Sequence, residues 1–151
     1  MPNDVRMDDG FSTIITIANL PSVKLYEKEV TPPGMTAGGA IDTTTMRSNA
    51  WRQMSPRQLK TLSPMSATVA YATEVIPQVR DQLAVNQLIT VTFPDDSILE
   101  FYGWIEEFTP GAFTEGEQPT ATLTIQPSLT DPSTGLTVAP VYFAASGQSA
   151  Q

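Results

Sequence analysis

The sequence predicts a mainly β protein with one helix, and three features support this. Apolar and polar residues alternate with period two in several stretches, which is the pattern of half-buried antiparallel strands. Threonine, aromatic and β-branched residues are frequent in those stretches, as they are in strands. Only one stretch carries apolar residues at helical spacing. A chain of 151 residues fits a single domain with one core.

The first predicted strands lie near the start of the chain. Residues 11–18 alternate, and residues 23–30 alternate again after a turn at 19–22, so we expect these two strands to pair as a hairpin. The run Thr31-Pro32-Pro33-Gly34 ends the second strand because proline has no N–H to donate to a ladder. A short third strand is predicted over 40–45.

A long loop is predicted over 46–64, where the alternation gives way to polar, basic and methionine-containing sequence. Loops of nearly 20 residues without secondary structure are uncommon in compact domains and often functional. Trp51 and the apolar residues around it argue against disorder, so we expect the loop to become ordered against a partner. Four of the eight basic residues of the chain lie in it, namely Arg47, Arg52, Arg57 and Lys60.

The predicted helix follows a strand over 67–72. Thr73 is a suitable N-cap for a helix over 74–85, because its hydroxyl can accept a hydrogen bond from the first turn. Val79 and Leu83 are spaced so that both can dock on a sheet.

Three further strands are predicted in the second half. Residues 88–93 and 98–108 form a hairpin around Pro94-Asp95-Asp96-Ser97, whose carboxylates are typical of turns, and residues 120–126 alternate cleanly. The middle strand has one apolar face and one mixed face. The apolar face carries Leu99, Phe101 and Ile105, and the mixed face carries Glu100, Tyr102, Trp104 and Glu106.

Composition argues against an enzyme. The chain has neither cysteine nor histidine, which excludes disulfides, Cys/His metal sites, the Ser-His-Asp triad and the Cys-His pair. No nucleophile motif or phosphate-binding loop is present. Glu106 and Glu107 are neighbours on a strand and point to opposite faces, so they cannot act as a glycosidase pair. We therefore expect no catalytic residue, no metal and no cofactor.

Charge is unevenly distributed along the sequence. The net charge is −8, and nine acidic residues follow the last basic residue, Arg80. A surface of that sign repels phosphate and does not bind it. No stretch is long and apolar enough to span a membrane, and the start of the sequence does not have the pattern of a signal peptide, so we expect the protein to be made in a reducing cytoplasm.

The order of these elements resembles that of the major tail tube proteins of siphophages, a superfamily that includes the inner tubes of contractile tails and of type VI secretion systems. The resemblance covers roughly residues 10–130. It rests on four stretches, namely Gly38 to Arg52, Ala67 to Val85, Ile89 to Ile105 and Ala121 to Ile125.

The resemblance implies two packed antiparallel sheets, sandwich-like or barrel-like, with a flanking helix and a long inter-subunit loop. It divides the chain into a β-sandwich domain over 1–130 and a C-terminal extension over 131–151. We expect the extension to be flexible from Ser146 onward. Its apolar residues are expected to dock on this subunit or on a neighbour.

The resemblance also implies a structural role in the virion tail, with assembly in the host bacterial cytoplasm. Six copies would form a ring, and rings would stack into a hollow tube through which DNA passes, without specific binding, during ejection. The other implied partners are further tail proteins, namely the tape measure, the terminator and the distal tail protein, and no membrane. Trp51 and the four basic residues of the loop would meet the acidic second half of a neighbour. Glu100, Glu106, Thr122 and Thr124 are the candidates for the surface that lines the lumen.

Two alternatives remain open at this stage. The chain could be another tail or capsid structural protein on a similar sandwich, such as a tail terminator, a baseplate ring protein or a decoration protein. It could instead be a carbohydrate-binding β-sandwich in which Tyr102 and Trp104 stack on sugars. Stacking on single-stranded nucleic acid is not expected, because no basic residues are interleaved with these aromatic residues.

Overall fold

A computed structural model describes residues 13–20 and 25–144 of the chain. Those residues form eleven β-strands and one short α-helix. The strands are β1 (Ile14–Ile17), β2 (Glu27–Thr31), β3 (Met35–Thr36), β4 (Ile41–Asp42), β5 (Met54–Ser55), β6 (Thr61–Leu62), β7 (Met65–Ala70), β8 (Gln87–Thr92), β9 (Ile98–Pro110), β10 (Thr120–Pro127) and β11 (Val141–Phe143). The predicted flexible tail and parts of the first two predicted strands lie outside the described residues.

Seven strands form one antiparallel sheet in the order β1-β8-β9-β10-β7-β2, and β11 pairs with β9 beyond the end of β10. The edge strands β1 and β2 approach each other, and the Ile15 N–H donates to Glu27 Oε2 at 2.7 Å. Among the described residues, no backbone ladder joins these two edges. The sheet is therefore curled over its core without closing into a barrel, and the prediction of a mainly β, sandwich-like antiparallel fold with one helix is confirmed.

The predicted hairpin between the first two strands is wrong. β1 pairs with β8, and β2 pairs with β7, so the two strands occupy opposite edges of the sheet. Alternation identifies a strand, but the choice of partner depends on contacts between residues that are far apart in the sequence.

The core lies on the concave face of the sheet. Alternate residues of β7, β8, β9 and β10 are buried, as period-two patterning predicts. The largest fully buried side chains include Phe101, Met65, Ile89, Ile105 and Leu123.

The helix α1 (Ile76–Gln82) is shorter than predicted and follows a 3-10 turn at Thr73–Val75. Thr73 is not the N-cap, because Ala72 precedes the turn and no side chain caps it. Val79 is buried against the sheet, but Leu83 is 40% exposed. The helix ends early because Leu83 adopts an extended backbone and forms a bridge with Ile105.

A two-stranded arm (residues 32–64) projects between β2 and β7. Its base is the β3–β6 pair and its middle is the β4–β5 pair. The segment predicted as a loop over 46–64 thus contains β5 and β6 and is the returning half of this arm. The strand predicted over 40–45 is reduced to β4.

Candidate assembly surfaces

The arm combines exposed apolar side chains with positive charge. Met46, Trp51 and Leu59 are each more than 80% exposed. The arm contains four of the eight basic residues and one of the sixteen acidic ones, Asp42. Its formal charge is therefore +3, which leaves −11 for the rest of the chain. Exposed apolar surface of this kind indicates an interaction site.

The tip of the arm is held by local hydrogen bonds. The Thr44 N–H donates to Asp42 Oδ1 at 2.9 Å, and the Arg52 guanidinium pairs with Asp42 Oδ2 at 3.0 Å. Hydrogen bonds from Thr44, and then the one from Arg52, hold the pKa of Asp42 below its usual range. The Gln53 N–H donates to Thr44 Oγ1 at 2.8 Å. The tip presents Trp51 from an ordered turn, because these bonds link its two strands.

The other basic residues of the arm lie at the tip and along the returning strand. Arg47 forms no ion pair with any described residue. Arg57 Nε donates to the Gly39 carbonyl at 2.8 Å, and Lys60 lies beside the base of the arm. The structure therefore spreads these cations along the whole arm and does not gather them into one cluster.

Threonine and acidic residues dominate the convex face of the central strands. Glu100 lies opposite Thr90, and Thr122 lies between Thr68 and Thr109. Thr124 lies opposite Glu107. Three of the four predicted lumen residues, Glu100, Thr122 and Thr124, are therefore on one face of the sheet.

The fourth predicted lumen residue, Glu106, lies at a β-bulge. The register between β9 and β10 shifts there, because Ile125 pairs with Ile105 and Thr124 pairs with Glu107. The prediction assumed strict alternation along the strand, and it therefore did not account for the extra residue that the bulge inserts in β9. Glu107 therefore occupies the position in register with Thr124, and sequence reasoning missed it.

Tyr102 and Trp104 also lie on the convex face, where each is half-buried. The Tyr102 carbonyl accepts hydrogen bonds from the N–H groups of Ser128 and Leu129, at 2.8 and 3.1 Å. The start of the C-terminal segment (residues 128–144) is anchored there.

The C-terminal segment packs on its own subunit. Asn86 Nδ2 donates to the Thr130 carbonyl at 2.8 Å, and Ser128 Oγ donates to Asn86 Oδ1 at 2.7 Å. The chain then turns back, since the Val138 N–H donates to the Leu129 carbonyl, and it ends in β11. All three side chains of β11 are exposed.

A groove of about 440 Å³ lies between the base of the arm and the C-terminal segment. Its lining is mostly apolar and includes one charged residue, Lys60. The arm contributes Met35, Thr36, Ala37, Lys60, Thr61 and Leu62, and the C-terminal segment contributes Leu129, Thr137, Ala139 and Pro140. No sequence pattern predicts this groove, because its two sides are about 70 residues apart.

The β9–β10 loop (residues 111–119) lies at the other end of the long strands. Phe113 is 65% exposed, and its ring meets Tyr71 edge-on at 5.8 Å. The loop is ordered by its backbone, since the Gly111 N–H donates to the Thr120 carbonyl at 2.8 Å. Glu115 and Glu117 follow Phe113 in the loop and are exposed. This loop therefore presents an exposed aromatic side chain, Phe113, called the knob below, followed by two acidic residues.

Within the described residues, no group of three acidic side chains is arranged to hold a metal ion. None of the described helices is long and apolar enough to cross a membrane.

No protein-family model matches the chain, and no curated protein matches it. Solved structures share its fold. A chain from the virion of a native gene transfer agent particle aligns with a TM-score of 0.63 and 14% identity, over 90% of this chain and 98% of that chain. A chain from the 6-fold symmetrised anti-feeding prophage baseplate aligns with a TM-score of 0.60 and 9% identity, over 89% and 92%.

A third structure is the tail of an empty gene transfer agent particle, obtained by helical refinement with C6 symmetry. One of its chains aligns with a TM-score of 0.58 and 13% identity, over 90% of this chain and 98% of that chain. At these identities the likeness establishes a shared fold along nearly the whole length of each chain.

Proposed function

We propose that this chain is a structural subunit of a phage-type tail tube, in which six copies form a ring and the rings stack into a hollow cylinder. The observation that carries the proposal is the fold shared, over 90% of the chain, with a chain of a tail that has C6 symmetry. The projecting arm supports it, because Met46, Trp51 and Leu59 are largely exposed and Arg47 forms no ion pair with any described residue.

The charge distribution supplies a mechanism for assembly. An arm of charge +3 on a body of charge −11 is attracted to the body of any second copy. Complementary potentials of this kind speed association and fix the register of an interface. Burial of Trp51 and Met46 at that interface would then supply most of the affinity, as large apolar anchors do.

The proposed tube also accounts for the convex face. A lumen lined by threonine and carboxylate groups, with Glu100, Thr122 and Thr124 on the same face, repels phosphate and lets DNA pass without specific binding. A structural subunit of this kind needs neither a catalytic residue nor a cofactor. Joining the open edges of neighbouring sheets would also protect them from unspecific pairing.

The first test is self-assembly of the purified chain, observed by electron microscopy. We expect rings or tubes at low salt. In Arg47→Glu, and more strongly in Arg47→Glu with Arg52→Glu, polymerisation should fall while circular dichroism is unchanged. Arg80→Glu is the matched control, because Arg80 is an exposed arginine outside the arm whose side chain pairs with the adjacent Asp81. A wild-type chain that stays monomeric at high concentration contradicts the proposal.

A baseplate ring subunit is the second candidate, because the chain shares its fold equally well with a chain of a 6-fold symmetrised baseplate. The number of copies per particle separates the two functions. A tube requires many stacked rings, whereas a baseplate position requires one or a few.

A further inference from the structure

We propose that the β9–β10 loop of one copy inserts into the groove at the arm base of the next copy, with Phe113 as the anchor. This inference rests on the proposed tube function, and it assigns the two surfaces that meet when one subunit stacks on another.

The positions of the two surfaces require two molecules. The β9–β10 loop precedes β10, and the groove residue Leu129 follows it. Because β10 has 8 residues, its first and last residues are about 24 Å apart at a rise of roughly 3.4 Å per residue. Met65 of β7 pairs with Ile125 near the same end of β10, which places Leu62 and the arm base at the groove end. A loop held at one end of the sheet cannot reach a groove at the other.

The two surfaces also match chemically. The groove is mostly apolar and large enough for an aromatic side chain. Phe113 is exposed but already positioned by its contact with Tyr71, so little entropy is lost when it is buried.

Charge favours the same pairing. Glu115 and Glu117 follow Phe113 in the loop that carries the knob. Lys60 lines the groove, and the Arg57 side chain lies next to Gly38 in the arm. On the same chain, Lys28 Nζ donates a hydrogen bond to Gln118 Oε1 of this loop at 2.7 Å. The nearest acid to the groove on the C-terminal segment, Asp131, accepts a hydrogen bond from Ser133 at 2.7 Å.

A contact between two different surfaces of identical molecules is heterologous, and unless it closes into a ring it leaves a free knob and a free groove at the two ends of the assembly. Such a contact propagates along an axis. That behaviour is the one required for stacking rings into a tube.

The absence of cysteine from the chain permits a directional crosslinking test. The double variant Thr114→Cys with Ala37→Cys places one thiol beside the knob and one at the groove. In assembled tubes, a short thiol crosslinker should link these variants into a ladder of dimers, trimers and longer chains on a denaturing gel. Each single variant should stay monomeric, and a mixture of the two single variants should stop at dimers.

The control pair Thr114→Cys with Gln78→Cys has its second thiol on an exposed position of α1 and should give no ladder. A second pair, Glu115→Cys with Thr61→Cys, tests the same contact if the first pair prevents assembly. Phe113→Ala should raise the critical concentration for polymerisation at least about tenfold, as loss of an interface anchor does. Phe113→Leu keeps an apolar side chain and should assemble much more readily.

The outcomes separate the two proposals. Normal tubes without a ladder above the control, together with normal assembly of Phe113→Ala, overturn the knob-and-groove contact and leave the tube function intact. A wild-type chain that forms no higher assembly overturns both.

Discussion

Gly103 shows how a single residue sets the spacing of two strands. It is buried in β9, and a Cβ at this position would lie 2.7 Å from the Gln126 carbonyl oxygen and 3.2 Å from Pro127 Cα. The obstacle is backbone, so it cannot move aside as a flexible side chain would. The bulge of β9 occurs at Glu106, and Gly103 permits close approach of β10.

Gly103→Ala should therefore destabilise the subunit. Forcing one methyl group into this contact should lower the free energy of unfolding by about 1–3 kcal/mol, measured by urea denaturation of the unassembled subunit. Gly39→Ala is the matched control, because nothing lies within 4 Å of a Cβ placed there. Equal stability of the two variants would show that β9 and β10 can separate without cost.

At the scale of elements, strands with regular alternation could be predicted from the sequence. β7, β8, β9 and β10 lie within about two residues of their predicted bounds, because each buries one face and alternation reports burial directly. The arm could not be predicted, since strands of two residues carry no periodicity. The length of the helix was also misjudged, because a bridge between Leu83 and Ile105 competes with its last turn.

The candidate assembly surfaces could also be predicted only in part from the sequence. The basic residues of the arm lie close together in the sequence, so they can be identified there. Trp51 lies among them and indicates a segment that contacts a partner. The groove depends on contact between the arm base and the C-terminal segment, so only the fold reveals it. For Phe113 the sequence offers one weak indication of a contact role, because Phe113 is an isolated aromatic residue within a polar, acidic stretch.

The arm should be the element whose protease sensitivity changes most on assembly. In the free subunit its exposed arginine and lysine side chains offer several sites to trypsin, and a two-stranded ribbon without a partner is only marginally stable. In assembled tubes these sites should be protected, because the arm is buried on a neighbour. Mass spectrometry of the fragments identifies the cleaved bonds, and equal cleavage at Arg47 and Arg52 in both states would contradict an interfacial arm.

At the scale of the whole molecule, the arm and the rest of the chain carry opposite formal charges. In the proposed tube, bodies of charge −11 repel one another, whereas the arm of charge +3 attracts the body of a neighbour. Attraction and repulsion therefore act between the same two molecules, and the balance between them is set by ionic strength.

Salt should have opposite effects on the wild-type chain and on a chain without the arm charges. Because the Debye length falls from about 10 Å at 0.1 M to about 3 Å at 1 M, added salt should screen the attraction of the arm and slow polymerisation of the wild type, followed by light scattering. In Arg47→Glu with Arg52→Glu, the arm carries net negative charge and repels the body. Added salt should then speed assembly, because it screens this repulsion while the apolar contacts of Trp51 and Phe113 remain. The same salt response in both proteins would show that the charge of the arm does not direct assembly.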